Sequence, residues 1–212
     1  MTRLLLAALV APLLLPSAAQ AKPPSCTRGG ATLEEASGKV RVVRIVRKTQ
    51  SAQETRREAL LSCWTATGKR KQIALEQDFG EDLISHTDLQ IVDQRYVGVY
   101  EVGIGGVSIG AVASVWDARK RTRVHSSANR CKNDDDDFKG PDDVAFLPRG
   151  GLAFTCGPLW LFKNAKAKTA TMLEPANAGA RQLGVSTRAD GFFDRLYWTL
   201  SDGTIKALDV EG

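Results

Sequence analysis

Cys131 to Asp143 reads CKNDDDDFKGPDD, and six aspartates fall within its last ten residues. Hard cations such as Ca2+ take several oxygens at short range, so Asp134, Asp135, Asp136 and Asp137 are the candidate metal ligands. The EF-hand spacing fails, however. With Asp135 and Asp137 at its first and third positions, Lys139 falls at the fifth and no Glu falls at the twelfth. Adjacent carboxylates also repel one another and cannot all turn inward. The run is therefore expected to be a solvated connection between strands, tied down by a Cys131–Cys156 bridge, with no cofactor in the chain.

Gly106-Val-Ser-Ile-Gly110 matches the G-x-S-x-G pattern of a nucleophile elbow. That device needs a strained strand-to-helix turn, with an acid and a His later in the chain. Here the residues after Ser108 continue as a strand, and only His125 follows. His86 and His125 are the two histidines of the chain, too few for a metal site or a base–nucleophile pair. An acid-based hydrolase or lyase would have to draw on Asp88, Asp93, Asp142 and Asp143, which no motif brings together.

Basic residues cluster in a regular way: Lys69-Arg70-Lys71, then Arg119-Lys120-Arg121 with Arg123, then Lys163, Lys166 and Lys168. Such clusters could hold a polyanion, or could keep exposed hairpins soluble and unpaired. They do not amount to a nucleic-acid footprint. The formal net charge is +5 over 212 residues, and Arg3 carries one of those charges in a segment expected to be removed.

That segment is the N-terminal leader. Arg3 precedes an apolar run from Leu4 to Leu15, and a small-residue stretch ends Ala19-Gln20-Ala21, an A-x-A cleavage site. The run is far shorter than the roughly 20 residues that cross a bilayer, so residues 1–21 read as a cleaved signal peptide and not as a span. Cys26 follows Lys22-Pro-Pro-Ser25, which is not a lipobox setting. A secreted or extracytoplasmic destination makes Cys26, Cys63, Cys131 and Cys156 candidates for disulfides. Four cysteines allow three pairings, of which 26–63 and 131–156 close local loops and are favoured.

The elements that would position these residues are short strands. VRVVRIV (40–46), IALE (73–76), RYVGVYEV (95–102), AVASVW (111–116), DVAFL (143–147), GLAFT (151–155) and LWLF (159–162) are β-branched or alternating runs between turn residues. One stretch, AQETRREALL (52–61), has the composition of a helix. Strands at such spacing build a sandwich, a barrel or a propeller, and a propeller carries a long repeat. The chain has one. Trp64, Trp116, Phe162 and Leu208 mark equivalent points where an apolar strand meets a polar turn, and a basic stretch follows the first three. Trp64, Trp116, Trp160 and Trp198 are expected in the core of such units and not around a ligand.

Leu196-Tyr197-Trp198-Thr199, followed by Ser201-Asp202-Gly203 and Ile205-Lys206, resembles a blade of the YWTD propellers, with Leu200 where that family has Asp. Asp93-Gln-Arg-Tyr-Val97 with Val115-Trp-Asp117 is similar to blades of the TolB-like and WD40-like exported propellers. The two likenesses together span about half of residues 22–212 and bear on architecture, not on function. They imply an all-β, propeller-like array of about four antiparallel four-stranded blades over 40–212, after an N-terminal extension at 22–39. The last repeat stops after its third strand, so VRVVRIV is expected beside 204–210 as the missing outer strand.

In that arrangement the basic clusters sit on one side, in the third-to-fourth-strand hairpins. Asp78, Glu81, Asp82 and Asp134–Asp143 lie in the opposite connections. The expected function is an exported, non-enzymatic binding or scaffold module whose partner is a protein or an anionic cell-surface polymer. It would act as a monomer or a ring-completing homodimer. A secreted hydrolase or lyase with an acidic site, and a structural envelope protein, are the alternatives.

Overall fold

A computed structural model describes residues 25–80, 83–105, 108–131, 140–187 and 193–210. The leader at 1–21 and the aspartates 134–137 lie outside these residues, so neither the cleavage site nor the calcium candidates gain a structural account. Within them the chain is nearly all antiparallel β-structure. Among the described residues the helical elements are two single turns of 3-10 helix, Pro148–Gly150 and Ala176–Ala178. No helix there is long and apolar enough to cross a membrane.

The first unit is a meander of β1 (Thr32–Ser37), β2 (Val40–Val46), β3 (Arg56–Trp64) and β4 (Lys69–Asp78). The second follows the same path through β5 (Leu83–Val92), β6 (Tyr96–Gly105), β7 (Ser108–Asp117) and β8 (Thr122–Ser126). The third contains β9 (Asp143–Leu147), β10 (Gly151–Thr155), β11 (Leu159–Phe162) and β12 (Thr171–Glu174). The fourth has three strands, β13 (Arg181–Thr187), β14 (Phe193–Thr199) and β15 (Ile205–Asp209).

The first two units are nominally continuous, but β4 and β5 share a single register pair, Asp78 with Ile84. Above that pair side chains replace the ladder. Ser85 Oγ accepts from Gln77 N at 2.6 Å and donates to Gln77 O at 3.2 Å, and the Glu101 carboxylate accepts from Leu75 N. Buried backbone groups must find partners, and here they find them without extending the sheet. The two units thereby diverge while their polar groups stay satisfied.

Trp64 and Phe162 end β3 and β11, Trp116 is the penultimate residue of β7, and Leu208 lies in β15. All four repeat markers therefore fall on the third strand of a unit. Alternation of side chains gives each sheet two faces, and apolar layers fill the spaces between successive sheets. Val40, Val42, Leu60 and Ile73 meet Val97 and Val99 between the first and second. Val92, Ala113 and Val115 meet Phe146, Leu152 and Phe154 between the second and third. Leu147, Leu159 and Leu161 meet Leu196, Trp198 and Val210 between the third and fourth. Fully burying each such side chain contributes about 1.5–3 kcal/mol, so these layers dominate the stability.

The far face of the first sheet, with Val43, Leu61 and Cys63, is covered by residues from Cys26 to Ala31. The Cys26–Cys63 disulfide fastens that cover, and Arg70 clamps it by donating to Arg28 O at 2.9 Å. Cys131–Cys156 joins the approach to the third unit to the end of β10. Both favoured pairings are thus present, as suits an oxidising setting.

Three expectations need revision. Residues 52–61 do not form a helix: from Arg56 onward they are β3. Its second half, Ala59 to Cys63, is buried, with Leu60 and Leu61 in the apolar layers on opposite faces, and that burial overrides the helix preference of Ala, Glu, Arg and Leu. Residues 22–39, read as an extension, contribute β1 and the disulfide-fastened cover. Finally, VRVVRIV is not the outer strand of the fourth sheet, because β2 is paired on one edge by β1 and on the other by β3. Both of its hydrogen-bonding edges are filled.

Candidate functional site: a basic cleft between the second and third sheets

In each four-stranded meander the turn from first to second strand and the turn from third to fourth emerge at the same end. At that end the second and third sheets are tied by two contacts, one between turns and one from strand β8 to a loop. Asp93, in the β5–β6 turn, accepts a hydrogen bond from Arg149 N in the β9–β10 turn. His125 of β8 donates from Nε2 to Asn164 O at 2.8 Å in the β11–β12 loop. Since a carbonyl can only accept, His125 carries its proton on Nε2. Its ring stacks on Phe162, centroids 4.3 Å apart. Burial pushes its pKa down, outweighing the opposing effect of the Asn164 bond. Ala165 N then donates to Arg149 O at 2.8 Å, closing the two third-sheet loops on each other.

A cleft of about 350 Å3 lies between these loops, lined by Asp93, Arg95, Tyr96, Arg149, Asn164 and Lys166 among others. This volume is within the usual range for small-molecule sites, about 300–1,000 Å3. Arg95 is held in place by Asp117, which is only 1% exposed. Its Nε and Nη2 donate to that carboxylate at 3.3 and 2.7 Å, and its guanidinium lies 5.1 Å from the Tyr96 ring centre. Burial alone would raise the Asp117 pKa, but the bonds from Arg95 and from Lys120 N and Arg119 N hold it below the ordinary carboxylate value. Arg95 Nη1 makes no hydrogen bond among the described residues. The same holds for the side-chain nitrogens of Arg149 and Lys166. Asn164 Oδ1 accepts from Lys166 N at 2.9 Å, which leaves its Nδ2 donor available.

The backbone around the cleft is strained. Asp93 and Gln94 have φ of 51° and Arg149 has φ of 56°. Residues with side chains rarely occupy this left-handed region, and such strain clusters at sites of function. Gly38, in the β1–β2 turn, packs against Gln94, so the first sheet buttresses the same corner.

A second cleft of about 320 Å3 separates the same two sheets along their first strands. It brings together Asp88, Asp142 and Asp143, three of the four carboxylates an acid-based enzyme would need, around Tyr100 and Phe146. Burial raises the Tyr100 pKa, and the nearby Asp142, Asp88 and Asp143 raise it further. Tyr100 Oη donates to Pro141 O at 3.3 Å, and Asp143 Oδ2 accepts from Gln182 N at 2.7 Å. Asp93, the fourth, is in the basic cleft. Among the described residues no three of His, Cys, Asp and Glu gather where they could hold a metal ion.

The basic clusters are only partly free. Lys69 and Lys71 are exposed, whereas Arg70 is the clamp on the N-terminal cover. Arg119, Lys120 and Arg121 are exposed in the β7–β8 turn, and Arg123 lies over Trp116 at 6.0 Å. Lys166 enters the cleft. Arg95, Arg149 and Asn164 escape sequence reasoning, since each is an ordinary polar residue in its own turn. Ser108 begins strand β7 with no helix behind it, as expected. The four tryptophans all belong to the apolar layers. No protein-family model matches the chain, and a search of curated proteins also finds no match.

Proposed function

We propose that this protein is an exported, non-enzymatic binding module that holds an anionic polymer at the end carrying the basic cleft. The carrying observation is Arg95, fixed by a buried carboxylate and flanked by Arg149 and Lys166, whose side chains make no ion pair among the described residues. A cation held by its own scaffold loses little entropy on meeting an anion, which is the advantage of preorganisation. Arg119, Lys120 and Arg121 in the neighbouring third-to-fourth-strand turn extend the positive field that would draw a polyanion in. The YWTD-like and TolB-like segments and four successive meanders of 4, 4, 4 and 3 strands support reading the sheets as blades of a small propeller-like array. The A-x-A leader and two disulfides support export with cleavage after Ala21.

The test is calorimetric titration with oligogalacturonate and with oligoacrylate at about 50 and 300 mM NaCl. Binding that weakens with salt supports the reading; no binding of either polymer at low salt refutes it. A second reading, a hydrolase or lyase, draws on the gathering of Asp88, Asp142 and Asp143 in the other cleft. Turnover of a glycoside or ester by the pure protein, abolished by Asp142→Asn, would establish that reading instead.

A further inference from the structure

The basic cleft contains one group that a pure polyanion site would not keep. Asp93 lies among Arg95, Arg149 and Lys166, where its negative charge opposes an incoming anion. Its structural task uses one oxygen: Oδ2 accepts from Arg149 N. Asp93 is exposed, and its Oδ1 has no donor among the described residues. An uncharged acceptor such as Asn could also hold the Arg149 turn, through a weaker bond, without opposing an anion. The cleft therefore offers N–H donors from Arg95, Arg149, Lys166 and Asn164 next to a charged acceptor with a free oxygen.

A carboxylate or a phosphodiester has no proton to give such an acceptor. A hydroxyl beside the anionic group does. We infer that the cleft recognises a hydroxyl-bearing anion, an acidic sugar unit of a polymer, with the sugar's carboxylate or phosphate on the cations and a ring hydroxyl donating to Asp93 Oδ1. The volume of about 350 Å3 suits one sugar ring with its charged substituent. Hydrogen bonds to an ionised partner are stronger than neutral ones, so Asp93 favours a polyol anion over a bare one of equal charge. This inference rests on the anion-binding reading above, and the experiment separates the two.

The probes are a galacturonate hexamer and an acrylate hexamer, which carry the same number of carboxylates and differ in hydroxyls. The full chain should bind the galacturonate more tightly. Asp93→Asn removes a negative charge, which favours both probes; with its one amide oxygen on Arg149 N it also puts an NH2 donor in place of Oδ1, and that loss of the hydroxyl acceptor penalises only galacturonate. The ratio of the two affinities should therefore fall by about five-fold. A parallel change in both, or equal affinities in the wild type, overturns the inference while leaving anion binding intact. Failure of both probes to bind overturns the function reading itself. Because Asn retains an acceptor for Arg149 N, the melting temperature should hold. If it falls, the wild-type preference for galacturonate still decides the matter.

Discussion

Gly98 of β6 faces Phe146 of β9, and its lack of a side chain lets the second and third sheets close on each other. A β-carbon added there would lie 2.5 Å from both Cδ atoms of the Phe146 ring. Phe146 is only 9% exposed, and it shares its layer with Leu152 and Phe154, neither exposed at all. The ring borders the acidic cleft on one side but is otherwise packed in a buried layer, so it must turn out of that layer into the cleft or the sheets must shift. Overpacking of this kind costs about 1–3 kcal/mol. In a chain of this size that lowers the melting temperature by about 2–4 °C per kcal/mol. Gly98→Ala should thus melt about 2–12 °C lower. It should do so although Gly to Ala in an unstrained backbone normally stabilises slightly, by restricting the unfolded chain.

Phe146→Ala alone should cost about 3 kcal/mol or more, from lost burial and the void it leaves. In the double variant the new methyl occupies part of that void. The combined loss should then be smaller than the sum of the two, with a coupling of about 2 kcal/mol in a double-mutant cycle by chemical denaturation. Additive costs, or a neutral Gly98→Ala, would refute the packing of these two sheets through this contact. The geometry of the basic cleft would be in doubt with it.

Other perturbations probe the remaining joints. Replacing Cys26 and Cys63 together by Ser opens a bridge across 37 residues, with an expected loss of about 4 kcal/mol on the loop-entropy account and faster proteolysis at the N-terminal cover. Arg44→Met leaves the 3%-exposed Glu76 side chain without its hydrogen-bonded cation; burial opposes the charge of Arg44, but its bonds to Glu76, Glu34 and Glu58 hold its pKa up. Breaking this pair should cost about 3 kcal/mol in urea titration. His125 is held neutral, chiefly by burial, below its ordinary value of 6.5. The unfolded chain therefore takes up that proton first, and stability should fall as pH drops below about 6.5. In His125→Gln this part of the pH dependence should vanish; an unchanged slope would show that His125 is not the group concerned.

Most strands were legible because β-branched runs between turn residues leave few other options, and the spacing of Trp64, Trp116, Phe162 and Leu208 located the third strand of each sheet. Residues 52–61 were not, because their composition favours a helix, while the partners that hold them in a strand come from elsewhere. Glu58 meets Arg44 of β2, and Glu54 takes hydrogen bonds from Gln50 N and Gln77. The place of VRVVRIV was misjudged because apolar character shows that a strand has buried faces, not which edges it shares. The basic cleft was half visible. Lys166 belongs to a conspicuous cluster, but Arg95 gains its role from Asp117, 22 residues away, and Arg149 from Asp93, 56 residues away. Only the fold creates those juxtapositions.

Amide hydrogen exchange of the full chain, with and without the galacturonate hexamer, tests the central claim most directly. Protection should rise in the β5–β6 turn around 93–96, in the β9–β10 turn around 149–151 and in the loop around 164–167. It should stay unchanged at Asp142 and Asp143 and at Lys69–Lys71. Protection centred on the acidic cleft, or spread evenly over every basic hairpin, would contradict a defined anion site between the second and third sheets.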